Sequence, residues 1–210
     1  MLKTLFHSRP EKLARAVTEG DEERLLKLLG NRPADEWLQI INAKGQHLLE
    51  LSIRAGQPRM LQLLLQRLPE PRMLPAASCG TPLPLLALQQ PDKRLALLSA
   101  LLRAGADANL VHEGQPLLHY CPEHCEEQEL MLHLSRLLEH GADINCPDAD
   151  GTPLLLRLLP GGNLPLLQFL LQSGARCEPQ WLESLPDPAL AAQLQRTLDD
   201  MRIRAMLLGG

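Results

Sequence analysis

The densest group of side chains with donor chemistry is His119, Cys121, His124 and Cys125, with His133 further along the same stretch. Thiolate and imidazole are the ligands that zinc prefers, and Cys121, His124 and Cys125 would bring three donors within one helical turn. Three features argue against a metal centre: Pro122 splits the run, no second Cys-x-x-Cys pair exists, and Glu123, Glu126 and Glu127 mark a solvated turn. Cys121 beside His119 supplies the types of a nucleophile and a base, but acyl transfer also needs an orienting group converging on them in a cleft. No Gly-x-Ser-x-Gly elbow, phosphate-cradling loop or Gly-rich dinucleotide turn occurs. The chain therefore reads as non-enzymatic, with no metal and no cofactor. The terminal Leu207-Leu208-Gly209-Gly210 follows a helical pattern and reads as a frayed end.

The elements that would carry these residues repeat. Gly45, Gly80, Gly114 and Gly151 recur every 34 to 37 residues, each opening into a Leu-rich helical run. Three of the openings are Gly80-Thr81-Pro82-Leu83, Gly114-Gln115-Pro116-Leu117 and Gly151-Thr152-Pro153-Leu154. A hydroxyl at the N-cap and a proline with preset φ at the first helical position would fix the start of each first helix. A second series closes the units: Leu101-Leu102-Arg103-Ala104-Gly105-Ala106-Asp107-Ala108-Asn109 and Leu137-Leu138-Glu139-His140-Gly141-Ala142-Asp143-Ile144-Asn145. Gly105, Gly141 and Gly174 stand where a left-handed residue ends a helix, and the Asp and Asn that follow suit a turn by bonding the local backbone. The unit is helix, tight turn, helix, extended turn. One such pair cannot bury its own apolar face, so neighbours must stack.

Together these motifs resemble the ankyrin repeat, over most of residues 12–178 and most clearly over 80–175. The resemblance implies an all-α fold, an ankyrin-repeat α-solenoid of about five helix-turn-helix units with degenerate first units and C-terminal capping helices. The units fall at about 8–43, 44–78, 79–112, 113–149 and 150–178, with capping helices over 179–207, in a single domain spanning 1–210. In unit three the second helix should bury Leu95, Leu98, Leu101 and Leu102, and in unit four the run Cys121 to Gln128 is expected to form an expanded connection between helices. Pro69-Glu70-Pro71 begins a finger longer than the others. The family's opening continues Thr-Pro-Leu-His, and that His ties one unit's turn to the next. Leu49, Pro84, Leu118 and Leu155 stand at the corresponding place here, so the tie is expected to be missing and the stacking uneven.

Composition narrows the function. An apolar fraction of 45% with only 2% aromatics suits thin layers of stacked leucine helices better than a large aromatic-lined pocket. A net charge of −4 gives no footprint for nucleic acid, and no apolar run reaches membrane-spanning length. Five scattered cysteines are an odd number rather than a disulfide framework, which points to a reducing cytoplasm. The resemblance implies a protein-binding scaffold whose concave face and turn tips hold another protein, possibly a basic one, with no nucleic acid and no membrane. The expected contact residues are Trp37, His112, Glu113, His119, Tyr120, Asp148 and Asp150. Two finer roles are open: a bacterial antidote, immunity or chaperone protein masking a toxin or effector, and a regulatory adaptor in a larger assembly.

Overall fold

In the computed structural model, which describes residues 9–40, 42–68 and 74–208, each finger glycine is followed three residues later by the first residue of a helix. Leu48, Leu83, Leu117 and Leu154 take that place. Two compact units, 1–107 and 108–210, divide the chain.

In residues 1–107, three helix pairs succeed one another. The first pair is α1 (Arg9–Glu19) and α2 (Glu22–Leu29), followed by a short α3 (Ala34–Leu38). The second pair is α4 (Leu48–Arg54) and α5 (Pro58–Leu65), and the third is α6 (Leu83–Leu88) and α7 (Arg94–Arg103). Apolar residues at helical spacing bury one face of α1, α2, α5 and α7, whereas α6 is buried all round and α4 everywhere but at Arg54, so α1 packs on α2 and α4, α4 on α5 and α6, and α5 and α6 on α7. Asp21 starts α2 by accepting a hydrogen bond from Arg24 N at 2.9 Å. The second helix of the third pair buries Leu97, Leu98, Leu101 and Leu102, and Leu95 is only half-buried, a one-position correction to the expected face. Trp37, expected as an exposed anchor, is fully buried in α3. The bulkiest side chain of the long first finger has been used to fill the core beneath it. The stretch Pro69-Glu70-Pro71 lies outside the described residues.

In residues 108–210, a two-residue hairpin, β1 (Val111–His112) against β2 (Gln115–Pro116), leads into α8 (Leu117–His124) and α9 (Glu127–Glu139). The next pair is α10 (Leu154–Leu158), extended by a 3₁₀ turn over Leu159–Gly161, and α11 (Leu164–Gln172). Two closing helices follow, α12 (Pro179–Glu183) and α13 (Pro188–Leu208), with Leu190 and Leu194 buried where α13 lies on α11. The extra residues of unit four lengthen a helix rather than a loop: α8 runs straight through Pro122, and only Cys125 and Glu126 separate it from α9. Pro122 lacks the N–H that would bond back into the helix, a modest loss near its end. Gly141, at φ +86°, ends α9, and Leu137 rather than Leu138 is the fully buried member of the closing pair.

The start of the first helices lies one residue later than the sequence suggests. His47, Pro82, Pro116 and Pro153 are the N-caps, in extended conformation with ψ of 165°, 142°, 147° and 152°. Thr81 and Thr152 therefore sit outside the helix and cap nothing there, and proline's fixed φ serves the cap instead of the first helical position. Leu49, Pro84, Leu118 and Leu155, at the place of the family's tying His, have no polar side-chain atom to offer, but neighbouring side chains reach the next finger. Such a tie is made three times, the first by His47 Nε2 donating to the carbonyl of Ala76 at 3.1 Å. His119 Nε2 donates to the carbonyl of Cys146 at 2.9 Å, and the Glu50 carboxylate accepts from Ser78 N at 2.7 Å and Ser78 Oγ at 2.8 Å.

Candidate protein-binding rim

Each finger is a tight turn closed by two backbone hydrogen bonds or a short ladder, and its tip points side chains away from the core. In the fifth finger Asp148 N donates to Thr152 O at 3.1 Å and Gly151 N to Asp148 O at 3.0 Å. The Asp148 carboxylate is consumed within the turn, accepting from Asp150 N at 3.0 Å and Thr152 N at 2.9 Å. Asp150 is exposed. In the fourth finger Gly114 stands at φ +78°, and a Cβ there would meet the Ala149 Cβ at 3.1 Å, which sets the two fingers side by side. Glu113 precedes it with φ +51°, a left-handed conformation uncommon for a residue with a side chain, and its carboxylate is 81% exposed. His112 Nε2 lies 4.0 Å from Glu113 Oε1.

Behind this finger, α8 presents Tyr120, Glu123 and His124 on one face, at i, i+3 and i+4. The Tyr120 and His124 rings stack with centroids 6.2 Å apart and planes 11° from parallel. Tyr120 Oη donates to His112 O at 2.9 Å, which fastens the helix to the finger. Partial burial, with the negative charges of Glu113 and Glu123, raises the pKa of the Tyr120 hydroxyl. Glu123 accepts from Gln115 Nε2 at 2.8 Å and pairs with Arg157 Nη2 at 2.6 Å. Burial pushes the Glu123 carboxyl up, and these two partners outweigh it and hold its pKa below the ordinary value.

Of the expected contact residues, six fall in residues 108–210, but they play three different parts. His112, Glu113, Tyr120 and Asp150 keep surface available at the rim. Asp148 is half-buried and shapes its own turn. His119 is fully buried and belongs to the tie between repeats; burial lowers its pKa, against the raising effect of the Cys146 carbonyl. Trp37 lies in the core of residues 1–107. The expectation missed Glu123, Gln115, His124 and Arg157. The i, i+3, i+4 spacing of Glu123 and His124 from Tyr120 was the signal that could have found two of them. Among the described residues no group of His, Cys, Asp and Glu is arranged to hold a metal ion, and none of the five cysteines is in a disulfide.

Stacked helix pairs, fingers closed by glycine turns and side-chain ties from one repeat to the next define an ankyrin-repeat fold, all-α among the described residues apart from the short hairpin. Among solved structures, the ankyrin repeat domain of Bcl-3, described as a unique member of the IkappaB protein family, is similar to this chain with 25% identity and a TM-score of 0.61. The similarity covers 89% of this chain and 85% of that one. No protein-family model matches the sequence, and no curated protein matches it.

Proposed function

We propose that the protein is a non-enzymatic interaction module that binds a basic partner protein through the finger tips and the exposed face of α8 in residues 108–210. The observation that carries this reading is the division of labour at the rim. Glu113, Asp150 and Tyr120 contribute little or nothing to the core, whereas the leucines and the tying side chains are fixed by it. Exposed carboxylates on neighbouring fingers suit a positively charged surface and speed encounter with it. A reducing, cytoplasmic setting agrees with the cysteines, and among the described residues no helix is long and apolar enough to cross a membrane.

The test is quantitative capture with the wild-type chain and the Glu113→Lys/Asp150→Lys double variant as paired baits. A protein held by the wild type and lost by the variant, with thermal stability of the bait unchanged, is the expected result. Equal capture by both baits would sink the reading. One stoichiometric partner, inhibited when bound, identifies an antidote or chaperone that masks a toxin or effector; several weaker partners identify an adaptor.

A further inference from the structure

We propose that the partly exposed ring of Tyr120, flanked by Glu113 and Glu123 and stacked on His124, is the seat for an arginine side chain of the partner. This rests on the rim reading above and names the group that the rim recognises. The charge balance around the ring is the argument. Glu113 is exposed at the finger tip, Glu123 lies one turn along α8 from the ring, and Asp148 and Asp150 stand on the adjoining finger. Glu113 adjoins His112, whose carbonyl holds the Tyr120 hydroxyl, and Glu123 stands at i+3 on α8, so two carboxylates flank the ring; Arg157 is already engaged with Glu123 and with the His119 carbonyl at 3.4 Å.

The ring itself is immobilised. Its hydroxyl is bonded to His112 O and the His124 ring lies nearly parallel to it with centroids 6.2 Å apart, so a guest that stacks on it does not have to order it. A guanidinium is planar, spreads its charge and stacks on aromatic faces while its N–H groups reach carboxylates at the edge, which a compact ammonium does less well. The seat therefore favours arginine over lysine, and a neutral side chain of the same shape has no charge to offer Glu113.

Tyr120 is the only tyrosine of the chain, so a ¹³C-tyrosine-labelled sample yields one set of ring resonances that reports on this seat alone. The probes are an acetylated, amidated Gly-Arg-Gly peptide and its citrulline counterpart. Expected is a saturable shift of the Tyr120 resonances with the arginine peptide and none with the citrulline one. Glu113→Gln, which removes one exposed flanking charge and leaves the ring, should weaken the arginine affinity about two- to fivefold. No shift with the arginine peptide, or the same shift with both peptides, would overturn the proposal. The two ideas fail separately: a silent Tyr120 with partner capture still lost in Glu113→Lys/Asp150→Lys removes the arginine seat and leaves the rim. A responsive Tyr120 with unchanged capture removes the rim.

Discussion

At the level of single residues, buried polar groups define where the molecule is vulnerable. Glu50 is completely buried; burial alone would raise its pKa, but hydrogen bonds from Ser78 and Arg54 hold it below the ordinary value. Glu50→Ala should cost about 2–3 kcal/mol, since Ser78 loses its acceptor and Arg54 its partner, and urea denaturation measures it. His47 and His119 are governed mainly by burial, which lowers the pKa of each. Their unfolded forms bind protons below about pH 6.5 while the folded forms resist. The unfolded state therefore gains protons first on acidification, and stability should fall as pH drops from 7 through 6. The melting temperature of the wild type should decline over that range, and His119→Gln, which keeps a donor for Cys146 O, should flatten part of the slope. Glu50 and Glu123 act in a lower window, because their stabilisation persists until pH falls below about 4.3.

At the level of the helix and turn, the repeat period and the Leu-Leu-Gly endings were legible because they are composition signals set by backbone geometry. The one-residue register of the first helices was not. Proline's φ near −65° serves an N-cap and a first helical residue equally, and only ψ, which no letter encodes, separates them. Trp37 illustrates a second limit, since a lone aromatic in a polar stretch has the same lettering on a surface as in a pocket. Pro122 illustrates a third: a proline near the end of a helix breaks one bond, not the element. The turn residues were read as bonding locally, yet Asn109 reaches forward, donating to Gly141 O at 2.8 Å and accepting from Asp143 N at 2.7 Å. Asn145 repeats this with Gly174 O at 3.1 Å and Arg176 N at 2.8 Å. Asn145→Ala should therefore cost about 1–2 kcal/mol despite lying on the surface, as two backbone groups lose their partner. Leu137→Ala should cost about 2–5 kcal/mol and Leu138→Ala clearly less, a contrast that chemical denaturation of the pair resolves.

At the scale of the whole molecule, the net charge of −4 and the acidic rim would act together on encounter with the basic partner proposed above. Raising salt from 50 to 300 mM should slow association with a basic partner while changing dissociation little, as stopped-flow mixing would show. A chelator should leave the melting temperature unchanged; a drop of many degrees would reopen the Cys121 to Cys125 segment as a metal centre. Which features bind was less legible than the fold, because a rim is defined by what the core leaves over and the core's register had to be known first. The forward-reaching side chains carry a last consequence, for anyone who would splice this chain. A cassette cut from Gly114 to Gly151 keeps His119 with Cys146 but parts Asn109 from Gly141 and Asp143, and Asn145 from Gly174 and Arg176, so it carries half-made junctions at both ends. A piece running from Asn109 to Arg176 holds all of these bonds inside it, and grafts of that length should keep their melting temperature where glycine-to-glycine grafts lose it.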